Sequence, residues 1–169
     1  MAPFDIEDTR ARLAADLSVG KITRVTRDNF LAIAEFCVRQ DTYQIVTEIP
    51  TPAPTISPAD TVRLGGLGQL PISFGSEQTG WWTRLTDLAT VIRAPEDSLA
   101  REWERLRPDP RTPADAIEWT TDGGEKVTYR LFSGMAALKA TLDLTPDRDG
   151  FVASLRPETR QALRDAGWL

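Results

Sequence analysis

Two glycine-containing segments have residue types that could bind a nucleotide phosphate, and both depart from the required pattern. Gly65-Gly-Leu-Gly68 lacks the last glycine of a dinucleotide-binding loop, because Pro71 stands at that position. Gly20-Lys21 is followed by Ile22 in place of Ser or Thr, and Ala15 replaces the first glycine of a phosphate-binding P-loop. We interpret both segments as turns.

Two further segments have partial matches to a calcium loop and to a serine nucleophile. Asp147-Arg-Asp-Gly150 resembles part of a calcium loop, but Thr145 takes the first ligand position and Arg156 takes the place of the bidentate Glu. Ser18-Val-Gly-Lys21 matches Ser-x-x-Lys, yet the companion motifs of that enzyme class are missing. The first segment indicates a turn, and the second is a chance match.

Histidine is absent from the sequence, and Cys37 is its one cysteine. These two facts exclude Ser-His-Asp and Cys-His nucleophiles, histidine-containing zinc sites, four-cysteine metal sites and an internal disulfide. Cys37 lies in the apolar run 30–38, where we expect a buried, unreactive thiol. We therefore expect no enzyme activity, no metal and no cofactor. The 25 acidic residues leave open one alternative, a hydrolase that uses paired carboxylates.

The charge balance opposes nonspecific binding to nucleic acid or to anionic membrane, because 20 basic residues face 25 acidic ones and the net charge is −5. No apolar run approaches the roughly 20 residues that span a bilayer. The acidic N-terminus, from Met1 to Asp8, is unlike the basic start of a signal peptide. We expect a cytoplasmic protein without membrane contact.

A helix-turn-helix layout is the pattern that indicates a function. Residues 82–106 read as two short helices joined by a tight turn, with Ala89 small enough for a close helix crossing. Apolar residues follow at helical spacing, at Ile92, Leu99, Trp103 and Leu106. Such a layout, followed by a hairpin with an Asp-Gly-Gly tip, is typical of DNA-binding winged helices. An ordinary helical hairpin that packs on a sheet is the alternative interpretation.

Five basic residues in this region are the candidate nucleic-acid contacts. Between residues 81 and 132 the chain has eight basic and ten acidic residues, so DNA binding requires the basic side chains to gather on one face. Arg101 and Arg105 lie one helical turn apart, as i and i+4, so they can share a face. The candidates are Arg84, Arg101, Arg105, Lys126 and Arg130.

Apolar periodicity, capping residues and turn residues predict an α+β fold with a small, mainly antiparallel sheet and packed helices, of which a winged helix is one form. The expected domains are a helical extension with one strand at 1–50, a proline-rich connector at 51–59 and an α+β domain at 60–169. A rigid surface loop is the alternative for the connector. The expected helices are 5–17, 30–39, 85–92, 95–107, 134–142 and 157–166, the expected strands include 43–49 and a hairpin at 116–132, and a loop is expected around Pro146 and Gly150.

The order of these elements resembles the Bro-N domain of phage antirepressors over about residues 60–169. Trp81-Trp82 precedes a helix, and the hairpin tip Asp122-Gly-Gly124 leads into Val127-Thr-Tyr129. Ser133-Gly134 then starts a helix, and Gly167-Trp168 follows the closing one. The chain departs from the family in having Val152 before the closing helix and few lysines. The resemblance implies binding to nucleic acid or to a repressor, and no catalytic residues.

The first predicted function is a phage- or prophage-type regulator that binds double-stranded DNA. The alternative is an acidic protein-interaction module, of the antirepressor, antitoxin or immunity type, that covers a basic protein partner. A homodimer is compatible with either function. An enzyme based on Asp and Glu is the third reading.

Overall fold

In a computed structural model of the chain, the described residues are 5–39, 60–63, 67, 69–72, 74–76 and 80–169. The predicted strand at 43–49 and the predicted connector at 51–59 lie outside them. The described residues form two compact units. The N-terminal unit comprises the chain up to Ile56 together with Ala116–Tyr129, and the C-terminal unit comprises Ser57–Asp115 and Arg130–Leu169.

The α+β class predicted from the sequence is confirmed. Seven helices and six strands are present in the described residues: α1 (Ile6–Ser18), α2 (Arg24–Arg39), β1 (Asp60–Arg63), β2 (Gln69–Ile72), β3 (Phe74–Ser76), β4 (Gly80–Arg84), α3 (Leu85–Ile92), α4 (Glu96–Leu106), β5 (Ala114–Thr120), β6 (Lys126–Ser133), α5 (Gly134–Leu144), α6 (Arg148–Ser154) and α7 (Pro157–Asp165). Strands β1 and β2 form an antiparallel pair, and a second sheet has the strand order β3-β4-β6-β5.

In the turn of the β5–β6 hairpin, Gly124 adopts a left-handed backbone conformation and Gly123 does not. Gly124 N–H donates to the carbonyl of Thr121, and Thr121 N–H donates to the carbonyl of Glu125. Gly124 has φ +84°, whereas Gly123 lies outside the positive-φ region. The turn therefore requires glycine at position 124, where a side chain would strain the backbone.

Helix α2 begins six residues before the predicted start at Phe30. The hydroxyl of Thr23 accepts a hydrogen bond from the backbone N–H of Thr26 at 3.1 Å, which caps the first turn. The helix buries Phe30 in a cluster with Leu13 and Ile22. Thr23 is thus the cap of α2, and residues 24–27 form its first turn.

Side chains of α2 cover the outer edge of β5, which is the last strand of its sheet among the described residues. The buried amide of Asn29 donates to the carbonyl of Thr120 at 2.8 Å and accepts from the N–H of Thr120 at 2.7 Å. Arg39 donates to the carbonyl of Ala116 at 3.2 Å. The Asn29 amide pairs with the strand as another strand would, so this part of the edge is satisfied without a further strand.

In the C-terminal unit, α4 is anchored to β6 through a tryptophan. The indole N–H of Trp103 donates to the backbone carbonyl of Leu131 at 3.0 Å, and both residues are buried. Ser133 caps α5 by accepting from the N–H of Ala136. Gly134 follows, and a Cβ there would lie 3.0 Å from the ring of Trp81. This glycine therefore allows the Trp81 ring to pack closely on the start of α5.

The loop predicted around Pro146 and Gly150 is confirmed at Pro146 and wrong at Gly150, because the helix α6 occupies residues 148–154. Its N-cap is Asp147, whose carboxylate accepts from the N–H of Gly150 at 2.9 Å. A Cβ at Gly150 would lie 2.2 Å from that carboxylate. Gly150 therefore lets the capping side chain approach the helix, although a glycine in sequence indicates a turn.

Candidate nucleic-acid interface

The predicted helix-turn-helix segment consists of α3, a three-residue turn and α4. The turn starts at Arg93, which adopts a left-handed conformation with φ 56° where glycine is the usual residue. The apolar face predicted from Leu99, Trp103 and Leu106 is buried. The first turn of α4 exposes Glu96 and Asp97. In DNA-binding helix-turn-helix proteins this end of the second helix contacts the bases, and carboxylates there would repel phosphates.

Arg84, at the end of β4, is paired with a carboxylate one helical turn into α3. Its Nε lies 2.9 Å from Oδ2 of Asp87, and each side chain is 21% exposed. Asp87 lies in the first turn of α3, where the helix dipole also stabilises a negative charge. The charge of Arg84 is therefore largely compensated within the protein.

Arg105, the central candidate on α4, contacts two carboxylates. Its Nη2 lies 2.6 Å from Oε2 of Glu102 and also contacts Oδ2 of Asp143 on α5. The hydrogen bond to Glu102 is the main cause that raises the pKa of Arg105 above its ordinary value. Asp143 is shared with Lys139, whose Nζ lies 2.9 Å from its Oδ1. These contacts join α4 to α5 and neutralise the arginine.

Lys126 belongs to the N-terminal unit and lies between two carboxylates. Its Nζ is 3.6 Å from Oδ2 of Asp28 on α2 and 3.7 Å from Oε1 of Glu118 on β5. The lysine thus supports the packing of α2 against the hairpin. Three of the five candidate contacts, Arg84, Arg105 and Lys126, are accordingly in ion pairs.

The two other candidates, Arg101 and Arg130, form no ion pair with any residue in the described ranges. Arg101 donates to the hydroxyl of Ser98 at 3.3 Å. The guanidinium of Arg130 lies 6.0 Å from the ring centre of Trp103, and that of Arg107 lies 4.6 Å from it. Arg107 and Arg130 thus flank one buried tryptophan and keep their charge exposed.

Three arginines at α7 were missed by the sequence reasoning. Arg156 is the N-cap residue, and Arg160 and Arg164 lie within the helix. We call these three residues the arginine row. Their spacing of four residues places successive members on the same side of a helix. That spacing is present in the sequence itself, at positions 156, 160 and 164.

A groove in the C-terminal unit has a volume of about 570 Å³. Ile92, Leu144 and Phe151 provide part of its apolar lining. Arg93 and Asp147 are the charged residues that line it. Since these charges are opposite in sign, the groove favours neither an anion nor a cation.

The segment after α7 is held by two guanidinium groups. Arg111 donates to the carbonyl of Ala166 at 2.8 Å, and Arg148 donates to that of Trp168 at 2.6 Å. Arg111 also forms a two-pronged ion pair with Asp109. The side-chain hydrogen bond from Arg111 is the main cause that lowers the pKa of Asp109, and a backbone hydrogen bond from the same residue adds to it.

Among the residues that the structure describes, no three His, Cys, Asp or Glu side chains form a group that could hold a metal ion. Every helix within the same ranges is too short or too polar to cross a membrane. The side chain of Cys37 lies outside the described part of the chain. The prediction of an unreactive thiol therefore stays a prediction.

Neither protein-family models, nor curated proteins, nor solved structures give a match to this chain. The resemblance to the Bro-N domain accordingly stays a prediction.

Proposed function

We propose that this protein is an acidic protein-interaction module that binds a basic partner protein, in the manner of an antirepressor, antitoxin or immunity protein. One observation carries the proposal. The basic residues expected to contact DNA are mostly paired with carboxylates, as at Arg84 and Arg105. The carboxylates of Glu96 and Asp97, on the first turn of α4, have no cationic partner in the part of the chain described here.

The distribution of charge between the two units supports the same proposal. The N-terminal unit has seven basic and eleven acidic residues, and the C-terminal unit has thirteen basic and fourteen acidic residues. Most of the excess negative charge therefore lies in the smaller unit. Complementary charge accelerates association and selects a partner of opposite sign.

The test begins with cross-linking in the source cells and identification of the bound protein, which should be basic. The purified partner is then titrated with the whole chain and with the double variant Glu96→Gln/Asp97→Asn. We expect roughly fivefold weaker binding, since two exposed charge contacts contribute about 1 kcal/mol together. Glu158→Gln/Asp165→Asn on α7 changes the net charge equally and should have little effect. Equal effects of the two variants, or an acidic partner, would contradict the proposal.

A second candidate function, a DNA-binding regulator, is favoured by one specific observation. Arg107 and Arg130 flank Trp103 and form no ion pair with a described residue. Arginine stacked on an aromatic ring keeps its outward N–H groups available for phosphate oxygens. Band shifts at low salt with fragments that flank the gene test this candidate, and the double variant Arg107→Gln/Arg130→Gln should weaken any shift.

A further inference from the structure

In α7 the acidic residues are kept apart from the arginines, whereas in α4 an acid and an arginine form an ion pair. In α4, Glu102 precedes Arg105 by three residues and pairs with it at 2.6 Å. In α7, neither Glu158 nor Asp165 lies three or four residues from an arginine of the row, so neither can reach across a helical turn to one. Asp165 instead accepts from the side-chain amide of Gln161 at 2.8 Å.

The helical geometry puts acids and arginines of α7 on different sides. At about 100° per residue, Arg160 and Arg164 are separated by about 40° around the axis. Glu158 and Asp165 each lie about 100° or more from both arginines. Leu163 is fully buried and fixes which side of the helix faces the core of the C-terminal unit. The arginine row therefore forms its own strip beside the buried side.

The row has no internal compensation. Within the described residues, Arg156, Arg160 and Arg164 take part in no ion pair and no side-chain hydrogen bond. Like charges one helical turn apart repel each other and cost a few tenths of a kcal/mol per pair. The helix dipole favours Arg164 in the last turn, but it does not favour Arg156 at the N-cap, whereas an anionic partner would interact with all three charges.

We propose that the arginine row binds the phosphate backbone of double-stranded nucleic acid without reading its sequence. Successive arginines are about 6 Å apart along the helix axis, and a duplex carries one phosphate per about 1.7 Å of its own axis. Each guanidinium therefore finds a phosphate within reach. Planar guanidinium groups also match phosphate oxygens with paired hydrogen bonds.

A polyanion is favoured over an acidic protein by counterion release, although the net charge of −5 repels both at long range. An acidic folded protein would be repelled at long range and would gain only three exposed ion pairs. A duplex releases condensed counterions at every neutralised phosphate, which supplies favourable free energy at low salt. The inference rests on the second candidate function and assigns it a surface.

The experiment measures binding of the whole chain to a fluorescent duplex of arbitrary sequence by anisotropy, at salt concentrations from about 50 to 200 mM. Three phosphate contacts predict a slope of log K against log salt of about −2.7. The double variant Arg160→Gln/Arg164→Gln should reduce the magnitude of this slope by about two. Lys21→Gln/Arg24→Gln in the N-terminal unit removes the same charge and should leave the slope nearly unchanged.

The outcomes separate this inference from the functions proposed above. If the wild type binds and only Arg107→Gln/Arg130→Gln weakens binding, the row is not the contact surface, although the second candidate function survives. If no salt-dependent binding occurs, both fail, and the proposal of a basic protein partner is unaffected. Competition by polyglutamate as effective as competition by unlabelled duplex would overturn the assignment to nucleic acid. An unchanged thermal unfolding midpoint shows that the double variant is folded.

Discussion

Asn29 is the single asparagine in the sequence, and the structure explains why an amide stands there. A side-chain amide has a donor and an acceptor in the same geometry as a peptide group. Asn29 uses both on Thr120, in a buried position that is 3% exposed. Residues that carry only a donor, only an acceptor or neither would leave a backbone group of Thr120 unpaired.

We expect Asn29→Ala to lower the free energy of unfolding by about 2 kcal/mol or more, because two backbone groups lose their partners. Urea denaturation followed by circular dichroism measures the change. Arg24→Ala on the same helix is the control, since Arg24 is exposed, and its effect should stay within about 0.5 kcal/mol. A loss at Asn29 no larger than the control would show that water replaces the amide.

Asp109 gives the stability a defined dependence on pH. Its folded pKa is lowered by Arg111, so the ionised carboxylate stabilises the fold at pH values above the ordinary Asp pKa of about 3.9. This contribution is lost as the pH falls through the lower, folded pKa. We therefore expect Asp109→Asn to unfold more easily than the wild type at pH 7, and the two unfolding curves to converge as the pH falls below the lowered, folded pKa of Asp109.

Thermal unfolding across that pH range measures the difference between wild type and variant. Asp149→Asn, an exposed carboxylate with no ion pair to a described residue, is the control. A difference between wild type and Asp109→Asn that persists at the lowest pH would mean that the ion pair with Arg111 is not its source.

At the scale of elements, apolar spacing and capping residues in the sequence predicted most helices to within two residues. The bounds of α3, Leu85–Ile92, match the prediction, because a compact apolar run defines a helix on its own. The start of α2 and the whole of α6 were missed. In both, a polar side chain closes the first turn, Thr23 in α2 and Asp147 in α6, and such caps are difficult to tell from turns in a sequence.

The candidate site was less predictable than the elements, because ion pairing depends on neighbours distant in sequence. Asp143 contacts Arg105 across 38 residues, and Asp28 lies beside Lys126. No spacing rule within one helix reveals such partners. Conversely, the arginine row follows from spacing within one helix and could have been found.

The hairpin turn offers an element-scale prediction that distinguishes two adjacent glycines. Gly124→Ala forces a side chain into a left-handed conformation and should cost about 1–2 kcal/mol. A Cβ at Gly124 would meet no atom within 4 Å, so the cost is backbone strain alone. Gly123→Ala is the matched control and should change the unfolding free energy by less than about 0.5 kcal/mol. Equal losses in chemical denaturation would contradict the turn assignment.

At the scale of the whole molecule, charge is unevenly placed both between and within the units. The N-terminal unit contains most of the excess acid, whereas α7 presents arginines that no described carboxylate neutralises. Net charge alone suggested one class of partner, a basic one. Within the C-terminal unit, the exposed carboxylates of Glu96 and Asp97 lie on α4 and the arginine row lies on α7, and the two binding experiments examine these groups independently.

The cover that α2 places on β5 also bears on aggregation. A chain that begins after residue 39 lacks Asn29, and both backbone groups of Thr120 would lose their hydrogen-bond partner and could pair with strands of other molecules. We expect this shortened chain to form β-rich precipitates, detectable by light scattering and thioflavin fluorescence. Glu118→Pro in the same chain should restore solubility, because Glu118 lies two residues from Thr120 on the same edge of β5 and proline cannot offer an outward N–H.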